Sequence, residues 1–210
     1  MARYSNSRKT NPKVRNGVVQ KKNRYAPTRL NSLSVGLYKG GGRKVVSKED
    51  IWKFVRLIPN WKRVSKDLVL IYLAGFTNDY EDGWYEYPRR PTIVLSAWED
   101  DLTMSYFDTE YLEQHRALFA RLGVNIVKDT SGSFEFTKLV FDEDSARAYQ
   151  LLHVFLHELG HHHYRIMHGR GRDGGTEKYA EDYAYKMERK VWRRYCEAFK
   201  FKPRMVEAAA

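Results

Sequence analysis

The chain is poor in cysteine. Cys196 is the only one in 210 residues, which excludes an internal disulfide and a cysteine-based zinc cluster. Long apolar runs are missing as well. The longest, Leu68 to Phe76, falls short of the roughly 18–20 residues that span a bilayer, and it reads as a buried strand. The basic N-terminus lacks the apolar segment of a secretory signal peptide. These absences predict a soluble, cytoplasmic protein with no membrane partner.

Acidic residues are absent from the first 48 positions, which carry 13 Lys or Arg. The remaining residues hold 24 basic and 26 acidic side chains, so the net charge of +11 belongs to an appendage and not to the domain. Residues 1–46 are rich in Asn, Ser, Lys, Arg and Gly. They have too few apolar side chains to offset the entropy of ordering, and most of this arm is expected to be disordered. Its charge suits weak binding of nucleic acid or another polyanion; the plainer reading is a solubilising tail. Residues 204–210 read as a disordered tail, with Ala208–Ala210 resembling a cloning scar. One domain is left, over residues 47–203.

Within that domain the elements follow from caps and periodicity. Ser47-Lys48-Glu49-Asp50 has the form of a capping box, so a helix starts near residue 48. Leu68 to Leu73 and Thr92 to Trp98 read as strands, and Gly75–Pro91 as a long loop or a hairpin with one irregular arm. Asp108 or Thr109 caps a helix through Leu122 that Gly123 closes. Val124 to Val127 and Ser133 to Phe141 form a hairpin. Asp142 to Ser145 opens a helix running to about Met167, the glycine-rich stretch Gly169–Gly175 breaks it, and Thr176 caps a return helix to about Phe199.

The chemistry sits on the first of these two long helices, in His157-Glu158-Leu159-Gly160-His161. Residues four apart share one helix face, so His157 and His161 can reach one metal ion. Glu158 is placed to take a proton from a water that the metal activates. This HExxH pattern is the minimal equipment of a zinc hydrolase. Val154, Phe155, Leu156 and Leu159 make the helix apolar around its polar groups, and buried polar groups need partners. His153 shares the ligand face one turn earlier, where a supporting or cleft-lining role fits better than a further ligand. His162 and His163 point away from that face and are expected to be solvated. His168 returns to it, and could hydrogen-bond a developing oxyanion, as could Tyr179 or Tyr183.

Two histidines leave a tetrahedral zinc one protein ligand short once a position is kept open. The return helix offers Glu177-Lys178-Tyr179-Ala180-Glu181-Asp182-Tyr183-Ala184. With HELGH this resembles the gluzincins, HExxH metallopeptidases whose third ligand is a glutamate on a second helix. The pattern E-x-x-A-E-x-x-A is similar to the glutamate helix of the membrane prenyl-protein and heat-shock metallopeptidases and of small repressor-cleaving peptidases. The resemblance covers residues 145–190, with His163 where those families usually carry an apolar residue. It implies that Glu177 is the third ligand and Glu181 the carboxylate that holds a ligand imidazole by its other nitrogen. Helix geometry favours another choice. If both helices run tightly up to the glycine turn, Glu181 lies level with His161; a motif helix that frays after Tyr164 would restore Glu177. Asp182 is the remaining acid.

The resulting expectation is an α+β, zincin-like domain: a small, mostly antiparallel sheet packed on the HExxH helix and the glutamate helix. It would use Zn2+ to hydrolyse peptide bonds of a peptide or protein substrate, with Glu158 as general base and a strand edge within 133–141 or 92–98 holding the substrate. The rival expectation is a nucleic-acid-associated or regulatory protein with a structural, non-catalytic zinc.

Overall fold

The apolar runs pair into sheets in a computed structural model that describes residues 14–15, 18–19, 33–37, 40–76, 82–87, 90–106, 109–129, 136–169 and 176–203. The chain divides into two units, Met1–Asn31 and Ser32–Ala210. In the first, β1 (Val14–Arg15) pairs antiparallel with β2 (Val18–Val19), Val14 opposite Val19. The remainder of that unit, like the expected tail at 204–210, lies outside the described residues.

The second unit begins earlier than residue 47. β3 (Ser34–Leu37) pairs in parallel with β4 (Leu70–Leu73), Arg43 bridges to Trp98, and Val45 and Val46 are buried. The basic arm expected over 1–46 therefore yields its last residues to the fold. Pairing with β4 supplies backbone hydrogen bonds that this segment's own composition does not advertise.

The main sheet has the order β3-β4-β6-β5, with β5 at Gly83–Glu86 and β6 at Thr92–Leu95. β3–β4 and β4–β6 are parallel, and only β5 runs antiparallel to its neighbour β6. This corrects the expectation of a mostly antiparallel sheet: the main sheet is mixed. The four residues of β6 are all buried, as suits an interior strand covered on both faces. The short helices α1 (Lys48–Val55) and α2 (Trp61–Val64) lie in the β3–β4 crossover. Ser47 and Asp50 make the reciprocal cap that starts α1. A second sheet is antiparallel with order β7-β9-β8, from β7 (Thr103–Tyr106), β8 (Asn125–Asp129) and β9 (Phe136–Val140). Its β8–β9 hairpin follows the sequence pattern; β7 joins through tertiary pairing alone. Helix α3 (Thr109–Leu122) precedes the hairpin and ends at Gly123, whose φ is +72°.

Asp142 caps the long helix by accepting from Ser145 N–H, and Ser145 returns a hydrogen bond to the Asp142 backbone. α4 (Glu143–Tyr149) passes through a π-helical turn, Gln150–Val154, into α5 (Phe155–His168). The helix does not fray at Tyr164; it stops at Gly169, with φ +72°. α6 (Thr176–Phe199) returns antiparallel along it. The two backbones approach closely where Gly160 faces Ala180: a Cβ on Gly160 would lie 2.7 Å from Ala180 Cα. The core gathers Phe54, Phe155 and Tyr195 edge to face, at 5.6 and 6.0 Å from Phe54, with Ile71, Ile93, Phe119 and Leu139 buried around them. Among the described residues no helix is long and apolar enough to cross a membrane.

Candidate metal centre

α5 presents His157 and His161 one turn apart toward a cleft of about 560 Å³. Its lining includes edge strand β5 through Gly83, Trp84 and Tyr85, then Glu158 and Arg165 of α5 and Thr176 and Glu177 of α6. A π turn directly upstream, at Gln150–Val154, is a feature common at functional sites.

Donor atoms of three side chains converge in the cleft. His157 Nε2 and His161 Nε2 are 3.1 Å apart. Glu177 places one carboxylate oxygen 3.3 Å from the first and the other 3.4 Å from the second. Ligands about 2.05 Å from a tetrahedral zinc lie about 3.3 Å from one another. Each of these contacts is close to one edge of such a tetrahedron, the two to Glu177 being made by its two different oxygens. Glu158, almost fully buried, offers a carboxylate oxygen within 4.8 Å of both imidazole ligand atoms.

Glu181 sits behind His157, one carboxylate oxygen 3.0 Å from Nδ1. A carboxylate only accepts, so Nδ1 carries a proton, and a neutral ring then has its lone pair on Nε2, 3.1 Å from His161 Nε2 and 3.3 Å from a Glu177 oxygen. That lone pair meets a second imidazole nitrogen and a carboxylate, all of them able to hold a cation. Burial opposes charge on His157, but the Glu181 hydrogen bond and the carboxylates of Glu158, Glu181 and Glu177 outweigh it and raise its pKa. Burial dominates at His161 and lowers its pKa, against the pull of Glu177 and helped by His157 and Arg165. At Glu181 burial favours the acid form, yet hydrogen bonds from His115 and His157 hold the group well below the usual carboxylate range.

Glu177 thus lies beside Nε2 of both histidines, and Glu181 beside His157 Nδ1. α6 begins at Thr176 already level with His161, although α5 continues to His168. Asp182 faces outward, 3.7 Å from Lys178.

The three side chains expected as oxyanion donors are absent from the cleft lining. Tyr179 bonds its hydroxyl to His163 Nδ1 at 2.7 Å, Tyr183 buries its hydroxyl without a hydrogen bond, and His168 donates from Nδ1 to the Tyr164 carbonyl of its own helix. His162 is buried, not solvated: Nε2 donates to the Lys66 carbonyl and Nδ1 accepts from the Tyr85 hydroxyl, both at 2.9 Å. Burial lowers its pKa to about 4, against the Lys66 hydrogen bond and Asp67. His163 is half-buried and stacks on Tyr183. His153 is buried beside Glu181, with Nε2 3.9 Å from that carboxylate. Among the described residues the strand that borders the cleft is β5, and no residue of 136–141 or 92–98 lines it.

Sequence reasoning passed over three residues. Arg165 lies one turn beyond His161 on the same face, and its guanidinium stacks 4.8 Å from the Tyr87 ring; the four-residue spacing was the available signal. Tyr85 had none beyond its aromatic neighbourhood. His115 repeats with Leu112, Phe119 and Leu122 on the apolar face of α3, and a polar side chain there implies a buried partner.

The chain matches no protein-family model, no curated protein and no solved structure.

Proposed function

We propose that the protein is a zinc-dependent hydrolase of peptide bonds, gluzincin-like in its donor set. The observation that carries this reading is the convergence of His157 Nε2, His161 Nε2 and the Glu177 carboxylate at 3.1–3.4 Å beside a buried Glu158. Two imidazoles and one carboxylate with an open side toward a cleft suit catalytic zinc, whereas structural sites are closed by a fourth side chain. When bound, zinc supplies Lewis acidity that brings the pKa of a water toward 7 and polarises a carbonyl.

The chain's own residues supply the remaining functions. Glu158 accepts the attacking water's proton and delivers it to the departing amine. Glu181 keeps His157 in the tautomer with its proton on Nδ1 and its lone pair on Nε2. Arg165, a cation on the cleft wall, stabilises negative charge that develops on the substrate. β5 is an edge strand of its sheet, and an extended peptide can add to that edge by backbone hydrogen bonds.

Glu158→Gln tests the reading, because it removes the proton acceptor and leaves the three ligands in place. Zinc-loaded parent should cleave members of a diverse peptide library. The variant should keep its zinc while cleavage falls by about 10²–10⁴-fold, the usual worth of general-base catalysis. A variant that cleaves as fast as the parent would remove the mechanism. A parent that binds zinc but cleaves nothing would favour a structural or regulatory zinc.

A further inference from the structure

His115 is the one histidine outside the 153–168 stretch, and it is buried on α3. Its Nδ1 lies 2.8 Å from the Tyr111 carbonyl and its Nε2 lies 3.0 Å from one oxygen of Glu181. A carbonyl and a carboxylate both accept, so the ring donates from both nitrogens. The other Glu181 oxygen accepts from His157 Nδ1 at 3.0 Å. One carboxylate is thus gripped from opposite sides, by α3 through His115 and by the motif helix through His157.

The grip is rigid. Tyr111 stacks on the His115 ring at 4.0 Å and 24°, and His153 packs edge-on at 4.9 Å. Phe119 and Tyr185 lie against the same ring. Glu181 stands on α6, where its carboxylate has rotamers to explore. Without His115 the carboxylate loses this donor and is left to Tyr185 and His157, a looser hold on the orientation of His157 Nδ1.

We infer that His115 is a positioning residue for the metal centre, acting through Glu181 to fix the orientation and tautomer of His157. The inference rests on the proposed metal-ligand role of His157. Outer partners of a metal-bound histidine are typically worth 10–100-fold in metal affinity. His115 stands one hydrogen bond further out than Glu181, so its share belongs at the lower end of that range. Donor atoms of His115, His153 and Glu181 lie within 4.8 Å of one another. The 3.0 Å contact, however, is an ordinary hydrogen-bond length, and His153 stands back at 3.9 Å.

The test is a double-mutant cycle on zinc affinity in the full chain, read by competition with a chromophoric chelator. It compares the parent, His115→Phe, Glu181→Gln and the combination. His115→Phe should weaken zinc binding by about tenfold, and in the Glu181→Gln background the same change should cost less than about twofold, because the path is already cut. Should the phenylalanine variant fail to fold, His115→Gln takes its place in the cycle, with the loss in affinity reduced because its amide can still donate to Glu181. Unchanged affinity on replacing His115 would overturn the inference. So would an equal loss in both backgrounds, the mark of a general packing effect, or a second zinc equivalent that disappears with His115. A parent that binds no zinc overturns the metal-centre reading itself, and this inference with it.

Discussion

Two histidine–glutamate groups lie back to back in this protein, and Glu181 stands between them. In the cleft, His157, His161 and Glu177 turn donor atoms toward a common point, and Glu177 is 80% exposed. Behind it, His115, His153 and Glu181 are closed in by Tyr111, Tyr149 and Tyr185. In the rear group His115 donates to the carboxylate, while His153 buries its Nδ1 without a hydrogen bond. His153 stays neutral there, because burial drives its pKa down to about 3 despite the pull of Glu181. In the front group His157 Nε2 lies 3.1 Å from His161 Nε2 and 3.3 Å from a Glu177 oxygen, beside a cleft through which an ion can enter. Proximity of histidines and acids does not alone make a metal site; convergence with access does.

The largest expected effect separates the groups outright. His157→Ala or His161→Ala should abolish zinc uptake, measured by elemental analysis after dialysis, whereas His153→Ala should retain it. Full zinc in the His157→Ala protein would erase the distinction. A smaller effect ranks the glutamates. Glu177→Gln should reduce zinc affinity more than Glu181→Gln, for which a loss of about 10–100-fold is expected; the reverse order would exchange their roles. The smallest concerns the spacing that keeps both groups in register. Gly160→Ala places a Cβ 2.7 Å from Ala180 Cα, and overpacking of this kind typically costs about 1–3 kcal/mol. Thermal unfolding should show a lowered Tm, with zinc affinity falling modestly as α6 is pushed from α5. An unchanged Tm would show that this close approach is not needed.

What the sequence disclosed, and what it hid, follows from the range of the interactions. The Ser47 and Asp142 caps, the break at Gly169 and the HExxH face are set by neighbours within a few residues, and each is where the local pattern puts it. β3 and β7 are held by strands far along the chain, so their own short segments carried little signal. His162 was misplaced because helical phase alone sends it away from the ligands. A helix covered on several sides has no free face there, and Tyr85 with the Lys66 carbonyl closes over it. Which glutamate stands beside the two histidines depends on where α6 begins relative to α5, which residue spacing alone leaves open. His115 meets Glu181 across 66 positions, and no local rule reports such a pair.

The central claim is one cation held by three side chains at the cleft, with no fourth side chain closing it. Crystals of the zinc-loaded protein, measured at the zinc absorption edge, test it most directly. The account predicts a single anomalous peak about 2.0–2.1 Å from His157 Nε2 and His161 Nε2 and about 2.0–2.2 Å from a Glu177 oxygen. A peak among His115, His153 and Glu181, a fourth protein ligand, or no peak in the cleft would contradict it.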